Sequence, residues 1–404
     1  MIKIKVNLYD IVYYLMNFQN TEIAYKLKSN KQLLKSLLIF RLISSRTLVS
    51  VFTKIISLSL KLNLPISGIL NKTVFKQFCA GIDEKDSIQV VKKLKKLNVK
   101  SYMHYASEGN KSENDFDNNL NIIKDTINIT NKDAALPFTV FKASSLGKFN
   151  LFEKKSSGSA LSQLEEQLWN KTINRINSCC KHAASQNVKI FIDAEESWIQ
   201  PIIDEIAESL MEKFNKEKTI IYTTLQMYRK DRLKYLNKLI QNSIKNKYNL
   251  GFKLVRGAYM EKENERAYKS GLPSPIFENK NLTDLSFNNA LDKILINIEK
   301  CDLFVGTHCE KSIIKILKWM KENKISNGYK KIWFSQLFGM ADHISFNLAS
   351  RGYQVVKYVP YGPIKKVVPY LIRRAEENTS INSQLPKEIN LIKREINRRK
   401  FIAI

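Results

Sequence analysis

From about residue 99 onward, short apolar or β-branched runs alternate with longer stretches of helical periodicity. The runs predict strands at 99–103, 138–142, 188–193, 219–224, 252–255, 302–306, 331–335 and 354–358. Runs of this kind, with little polar alternation, are what strands covered on both faces require. Eight strands separated by helical crossovers imply a parallel sheet, and units of this length suit a closed (β/α)8 TIM-like barrel of the α/β class. An open doubly wound sheet is the alternative. With a dinucleotide it would usually carry a glycine-rich turn after its first strand. Neither GxGxxG nor GxxxxGK occurs, and the chain has only 13 glycines. The Lys111–Asn131 and Ser156–Ser159 segments read as surface loops or helix edges.

Ahead of the barrel pattern, Leu33 to Leu64 is rich in Leu and Ile but interrupted by Lys35, Arg41, Arg46, Lys54 and Lys61. That pattern predicts one or two amphipathic helices, which either pack on the domain or lie in a membrane interface. The longest charge-free stretch, Ile11 to Thr21, has 11 residues, short of the roughly 18 needed to span a bilayer. The first 30 residues carry Lys, few acids and no Arg, a weak targeting pattern. The expected division is therefore 1–30 targeting segment, 31–98 helical region, 99–380 barrel and 381–404 basic extension.

A net charge of +28 invites a nucleic-acid reading. Lys outnumbers Arg 53 to 13, and Asn and Ile are also abundant. This points to a compositional drift of the surface towards Lys, so no nucleic-acid partner is expected. The excess is densest at the start: residues 1–100 carry +13 and the other 304 carry +15. A basic N-terminal region suits an anionic membrane surface. The five cysteines form no CxxC pair and are expected as reduced thiols.

Barrel enzymes place their chemistry at the C-terminal ends of the strands. Here those ends carry His104 and Glu108, Lys142, Asp193, Gln226, Arg256, Thr307 with His308, Gln336, and Tyr358. Beyond the last strand, Tyr370, Arg373, Arg374 and Glu377 share one helical face. Adjacent guanidiniums there form a fork for a carboxylate or phosphate. No GxSxG elbow is present, and the four His residues lack HExxH or paired ligand spacing, so neither a serine hydrolase nor a metal site is expected. His308 fits either a satisfied strand-end imidazole or a cofactor contact. The residues alone lead to a barrel that binds a small anionic ligand.

Three blocks add a resemblance. They are Lys253-Leu254-Val255-Arg256-Gly257-Ala258-Tyr259-Met260, Phe334-Ser335-Gln336-Leu337-Phe338-Gly339-Met340-Ala341-Asp342, and Tyr358-Val359-Pro360-Tyr361-Gly362-Pro363 with its helix to Asn378. In order and spacing they resemble the proline dehydrogenase family, nearer its eukaryotic mitochondrial branch. The resemblance implies FAD over the strand ends and oxidation of L-proline to Δ1-pyrroline-5-carboxylate. It implies quinone as acceptor and peripheral contact with the mitochondrial inner membrane. It implies that Lys142, Arg373 and Arg374 clamp the substrate carboxylate, and that Tyr358, Tyr370 and Leu337 wall the ring. Asp193 would hydrogen bond near Tyr358, Glu377 would hold the guanidiniums, and Glu108 would gate the pocket. For the flavin it implies Gln226, Lys253, Arg256, Thr307, His308 and Gln336, with Lys280 at the phosphates. Hydroxyproline dehydrogenase is the neighbouring alternative, and an inactive basic barrel is the alternative of another class. The chain departs from the family pattern at His104, where Asp is usual, and in the polar turn Ala143-Ser144-Ser145-Leu146.

Overall fold

A computed structural model describes residues 18–62, 68, 71–106, 112–380 and 384–402. The apolar runs form strands β1 (Lys100–Tyr105), β2 (Phe138–Lys142), β3 (Lys189–Asp193), β4 (Ile221–Gln226), β5 (Leu250–Val255), β6 (Cys301–Gly306), β7 (Ile332–Leu337) and β8 (Val355–Tyr361). The sheet order is β1-β8-β7-β6-β5-β4-β3-β2, and every pair is parallel. Its two ends meet where the Ser101 N–H donates to the Ala135 carbonyl at 2.8 Å. The result is a nearly closed (β/α)8 barrel.

Alternate side chains divide between two cores. Outward residues such as Ile190, Ile192, Leu225, Phe252, Leu254, Val305 and Val359 pack under the helices. Inward residues form an aromatic plug. Phe138 stacks on Phe191 at 4.7 Å, Phe304 sits 4.5 Å from Phe191, and Trp333 lies 5.0 Å from Phe138. Gly251 faces the same interior because the Tyr222 ring fills the space its Cβ would need, at 2.5 Å. The barrel is thus filled below the mouth and offers no channel.

Four helices turn directly into the next segment through a left-handed residue: Asn98, Asn187, Lys247 and Lys324. Three close with a backbone pair, such as Asn187 N–H to Ala184 O at 3.1 Å and Val188 N–H to Ala183 O at 2.9 Å, and after Lys247 the Tyr248 N–H reaches Ser243 O at 3.1 Å. This is the Schellman arrangement usually given to glycine, met here by Asn and Lys. The Lys111–Asn131 stretch, expected as surface loop or helix edge, is helical over nearly all of its described part. It forms the helix Glu113–Lys132, capped by Ser112 and Asp115, and buries Phe116, Asn119, Ile123 and Ile127. Its many Asn residues masked that 3.6-residue period.

The two N-terminal helices, Asn30–Ile43 and Arg46–Lys61, pack against the two C-terminal helices, Gln384–Ile402 and Ile364–Ser380 respectively. Leu33, Leu37, Phe40 and Ile43 face inward. Leu34, Leu38, Val51, Phe52, Ile55 and Leu58 are exposed. The expectation of packing on the domain thus holds for one face of these helices, and the other face is exposed. No single helix among the described residues is long and apolar enough to cross a membrane. Asn30–Ile43 and Thr47–Ile56 pass that test only as a pair bent by 96°. The five cysteines are free thiols, four of them buried.

Beneath these helices, Asp342 bridges Lys28 at 3.1 Å and the fully buried Lys357 at 2.9 Å. Burial alone would raise the Asp342 carboxyl, but the two ammoniums hold it down at about 2. A carboxyl whose folded pKa is depressed contributes stability above its unfolded pKa and loses it as pH falls through the folded value. This contribution is therefore complete above roughly pH 4 and fades towards pH 2, with a size of about 2 kcal/mol. Asp342→Asn should be destabilised at neutral pH and should lose about that much less between pH 5 and pH 2, as read by urea midpoints.

Candidate active site

Strand periodicity decides which side chains reach the mouth. His104 follows Tyr102 by two positions, Lys142 follows Val140, Asp193 follows Phe191, and Tyr358 follows Val356. On β4 and β5, Thr224 follows Tyr222 and Lys253 follows Gly251. Register sets Lys142 beside Asp193 and Thr224 beside Lys253. These groups therefore crown the aromatic plug.

At their centre, Lys253 Nζ lies 2.5 Å from Asp193 Oδ1, with both side chains largely buried. The ammonium also sits over the Phe191 and Tyr102 rings, at 5.2 and 5.5 Å. Burial alone would lower its pKa, but Asp193 and Tyr102 raise it above the ordinary lysine value, so the ammonium stays charged. Thr224 Oγ1 donates to the same Asp193 oxygen at 3.4 Å. Asp193, expected to hydrogen bond near Tyr358, is engaged by Lys253 and Thr224. The Tyr358 hydroxyl instead meets His104 Nδ1 at 2.8 Å. Strand β8 runs three residues past its expected end, so Tyr358 lies within it, facing Tyr102 at 5.3 Å.

The helix Ile364–Ser380 brings Tyr370 to 5.9 Å from Tyr358 and sets the Arg374 guanidinium 5.4 Å from the Tyr370 ring. The Arg374 charge acts on Tyr358 and His308, and the Arg373 charge acts on Tyr259. Lys142 lies 5.8 Å from that same Tyr259 ring. Three cations on two elements thus converge on one mouth, beside an aromatic wall that includes Leu337 at the end of β7. Glu377 falls on the same helix, with its side chain outside the described residues, and Glu108 lies outside them altogether.

On the β4–β7 side, Arg256 is held by three partners: Asp284 at 2.6 Å, Thr307 Oγ1 at 2.7 Å and Ser312 Oγ at 3.2 Å. Lys280 pairs with the other Asp284 oxygen. Gln226 braces two loops, donating to Glu195 O at 2.8 Å and accepting from Ala258 N–H at 3.0 Å. Gln336 does the same between Thr307 O at 3.1 Å and the Ser345 hydroxyl at 2.8 Å. Each amide nitrogen keeps a second hydrogen for a ligand. His308 is half-buried beside the Lys357 and Arg374 charges. Its pKa falls to about 3, first through burial and then through those charges. It is therefore neutral, and its Nε2 accepts the Leu337 N–H at 3.1 Å, which places the ring proton on Nδ1.

Sequence reasoning missed Glu195. It is 2 % exposed and accepts from Ser144 N–H at 2.9 Å and from the Ser144 hydroxyl. Its only signal was its place two residues after Asp193 in a run of acids. Among the described residues, no group of His, Cys, Asp and Glu side chains is gathered to hold a metal ion.

Comparison with known proteins gives the family. The chain matches the family model described as proline dehydrogenase over residues 87–387. It is 34% identical over 306 residues to the carbapenem antibiotics biosynthesis protein CarD of Pectobacterium carotovorum subsp. carotovorum, covering 76% of this chain and 79% of that one. It is 33% identical to mitochondrial proline dehydrogenase 1 of Dictyostelium discoideum (95% of this chain, 75% of that one). It is 30% identical to hydroxyproline dehydrogenase of Xenopus laevis (94% and 89%). Among solved structures, proline utilization A from Bdellovibrio bacteriovorus, inactivated by N-propargylglycine, superposes with TM-score 0.70 at 18% identity. That match covers 95% of this chain but only 39% of the longer protein, and it speaks to the barrel fold alone. With a family match over most of the barrel and near full-length relatives above 30% identity, the chain belongs to the proline dehydrogenase family, a family of oxidoreductases acting on proline.

Proposed function

We propose that the chain oxidises L-proline to Δ1-pyrroline-5-carboxylate with FAD as cofactor and a quinone as final electron acceptor, in a mitochondrion. The observation that carries this reading is the convergence of Lys142, Arg373 and Arg374 beside the wall formed by Tyr358 and Tyr370. Such a mouth suits a small ring bearing one carboxylate. Three cations fix the carboxylate, and the fork of each guanidinium sets its direction. The aromatic faces exclude water from the ring carbon that loses hydride.

The donor set on the β4–β7 side suits a flavin dinucleotide. Arg256 and Lys280 supply cations for a pyrophosphate, and Gln226, Gln336 and neutral His308 supply fixed donors for a ring. When bound, FAD supplies the two-electron acceptor for the hydride leaving proline C5. Lys253, held ionised by Asp193, is a positive charge fixed near that acceptor and favours added negative charge there. Glu377 steadying the guanidiniums and Glu108 gating the mouth complete the reading.

The test is anaerobic addition of L-proline or trans-4-hydroxy-L-proline to the FAD-loaded protein. Bleaching of the flavin band by L-proline is the expected result. The likeness to a hydroxyproline dehydrogenase gives the second reading a footing, because an apolar wall rejects an added hydroxyl poorly. Faster bleaching by hydroxyproline would move the chain to that activity. Failure to bleach with either would remove the proposal.

The exposed apolar side chains of the two N-terminal helices, with Lys31, Lys35 and Lys54 among them, support a seat on an anionic inner-membrane surface. Replacing Val51, Phe52 and Ile55 with Ser should abolish cosedimentation with cardiolipin-containing vesicles while proline oxidation with a soluble acceptor stays intact. Unchanged sedimentation would count against the seat.

A further inference from the structure

The loop after β3 holds a carboxylate that the proposed chemistry does not use. Glu195 follows the strand by two residues, and its backbone is fixed on both sides. Its N–H donates to Gln200 Oε1 at 2.8 Å, and its carbonyl accepts from Gln226 at 2.8 Å. Its side chain is aimed at the turn that follows Lys142. There Ser144 supplies a backbone N–H at 2.9 Å and a hydroxyl. The Lys142 ammonium favours the Glu195 anion, and both charges act on the Tyr259 ring beside them.

We propose that Glu195 is the positioning residue of the carboxylate clamp, the resident counter-charge of Lys142, and that it takes a proton from solvent when a substrate carboxylate arrives. The inference rests on the proline reading of the site. Its physical basis is charge balance. A substrate carboxylate arriving at Lys142 shares the ammonium that favours the Glu195 anion, so the more deeply buried Glu195 carboxyl takes a proton as the ligand enters. No covalent bond changes: water or buffer supplies the proton, and the carboxylic acid formed keeps its Ser144 contacts.

The surroundings single out this group. Burial, more than any charge, pushes the Glu195 carboxyl up to about 7, with Glu196 adding to the rise and Lys142 and Ser144 opposing it. Glu196 is paired with Lys262 at 2.7 Å. Glu263 is bound by Ser197 N–H at 2.7 Å and by its hydroxyl. Asp204, reached through Gln200, is paired with Arg232 at 2.6 Å. Asp193 is paired with Lys253. Tyr259 is pushed far upward by burial.

The experiment is calorimetric titration of the FAD-loaded protein with tetrahydrofuran-2-carboxylate, which keeps the ring and carboxylate but has no amine to oxidise. Binding is measured from about pH 6 to 8 in two buffers of different ionisation heat. The wild type should take up a proton on binding, and its Kd should weaken up to about tenfold per pH unit above the midpoint. Glu195→Gln should bind without proton uptake and with a flat Kd, tighter than wild type at about pH 8. Ser144→Ala, which removes a donor to the anion, should move the midpoint to higher pH without abolishing it. A contribution from His104, whose ring meets Tyr358, would survive in Glu195→Gln. A flat, proton-neutral wild type, or full pH dependence in Glu195→Gln, overturns the inference and leaves the proline reading standing. Absence of binding by the wild type overturns both.

Discussion

Arg373→Met should raise KM for L-proline roughly 10²-fold and leave the flavin bound. The size follows from what the guanidinium does. A charge-assisted hydrogen bond to a carboxylate is worth about 1.5–3 kcal/mol where water is excluded, and Arg373 acts in the same mouth as Lys142 and Arg374. The substrate carboxylate is remote from the carbon that reacts, so the lost interaction is made nearly equally in ground and transition states. That lowers kcat/KM mainly through KM. Arg373→Lys should recover only part of the loss, because it restores charge without the planar fork. Arg256→Met makes the contrasting case. That guanidinium is tied to Asp284, Thr307 and Ser312, so its loss should appear as weakened FAD retention. If Arg373→Met sheds flavin and keeps a normal KM, the two sides of the mouth have been assigned the wrong way round. Flavin content and steady-state kinetics on the same preparations decide it.

The barrel was legible because parallel strands buried on both faces leave a plain trace: an apolar run such as Ile221–Gln226, then a helical stretch, repeated eight times. Errors came where one residue type carried two meanings. β5 was expected at 252–255, two residues short of its observed start at Leu250. In the fold, Gly251 is the strand position that the Tyr222 ring covers. The Asn-rich stretch after residue 111 read as surface loop or helix edge, although Phe116, Ile123 and Ile127 carried the period of a full helix. The cationic mouth was legible for a different reason. Lys142, Arg373 and Arg374 stand at strand and helix positions whose direction is fixed by periodicity. Contacts between such groups were not legible. Nothing in the sequence says that Lys253 would claim Asp193, or that His104 would reach Tyr358, since both depend on which strand lies beside which. The N-terminal helices showed the same limit. Their amphipathic pattern was clear, but Leu33 and Leu34 are adjacent, and only the docked Gln384–Ile402 helix decides which one is covered.

The Lys253–Asp193 pair sets up the other large effect. Both groups are nearly out of water, and their separation is 2.5 Å. Removing one partner strands the other as an uncompensated buried charge, at a cost of about 3–5 kcal/mol. Asp193→Ala and Lys253→Met should therefore each lower the urea midpoint sharply, since total stability for a domain is on the order of 5–15 kcal/mol. The double variant should be more stable than either single one, because neither member of the pair is left without its partner. Catalysis should not follow that recovery. With Lys253 gone, the mouth loses its fixed positive charge over the Tyr102 and Phe191 rings, and proline oxidation should stay low in the double variant even as folding returns. That split separates two roles that a single substitution confounds. If activity and stability recover together, Lys253 serves only to neutralise Asp193. If the double variant is no more stable than the singles, the pair is not the buried, mutually dependent unit that its geometry describes.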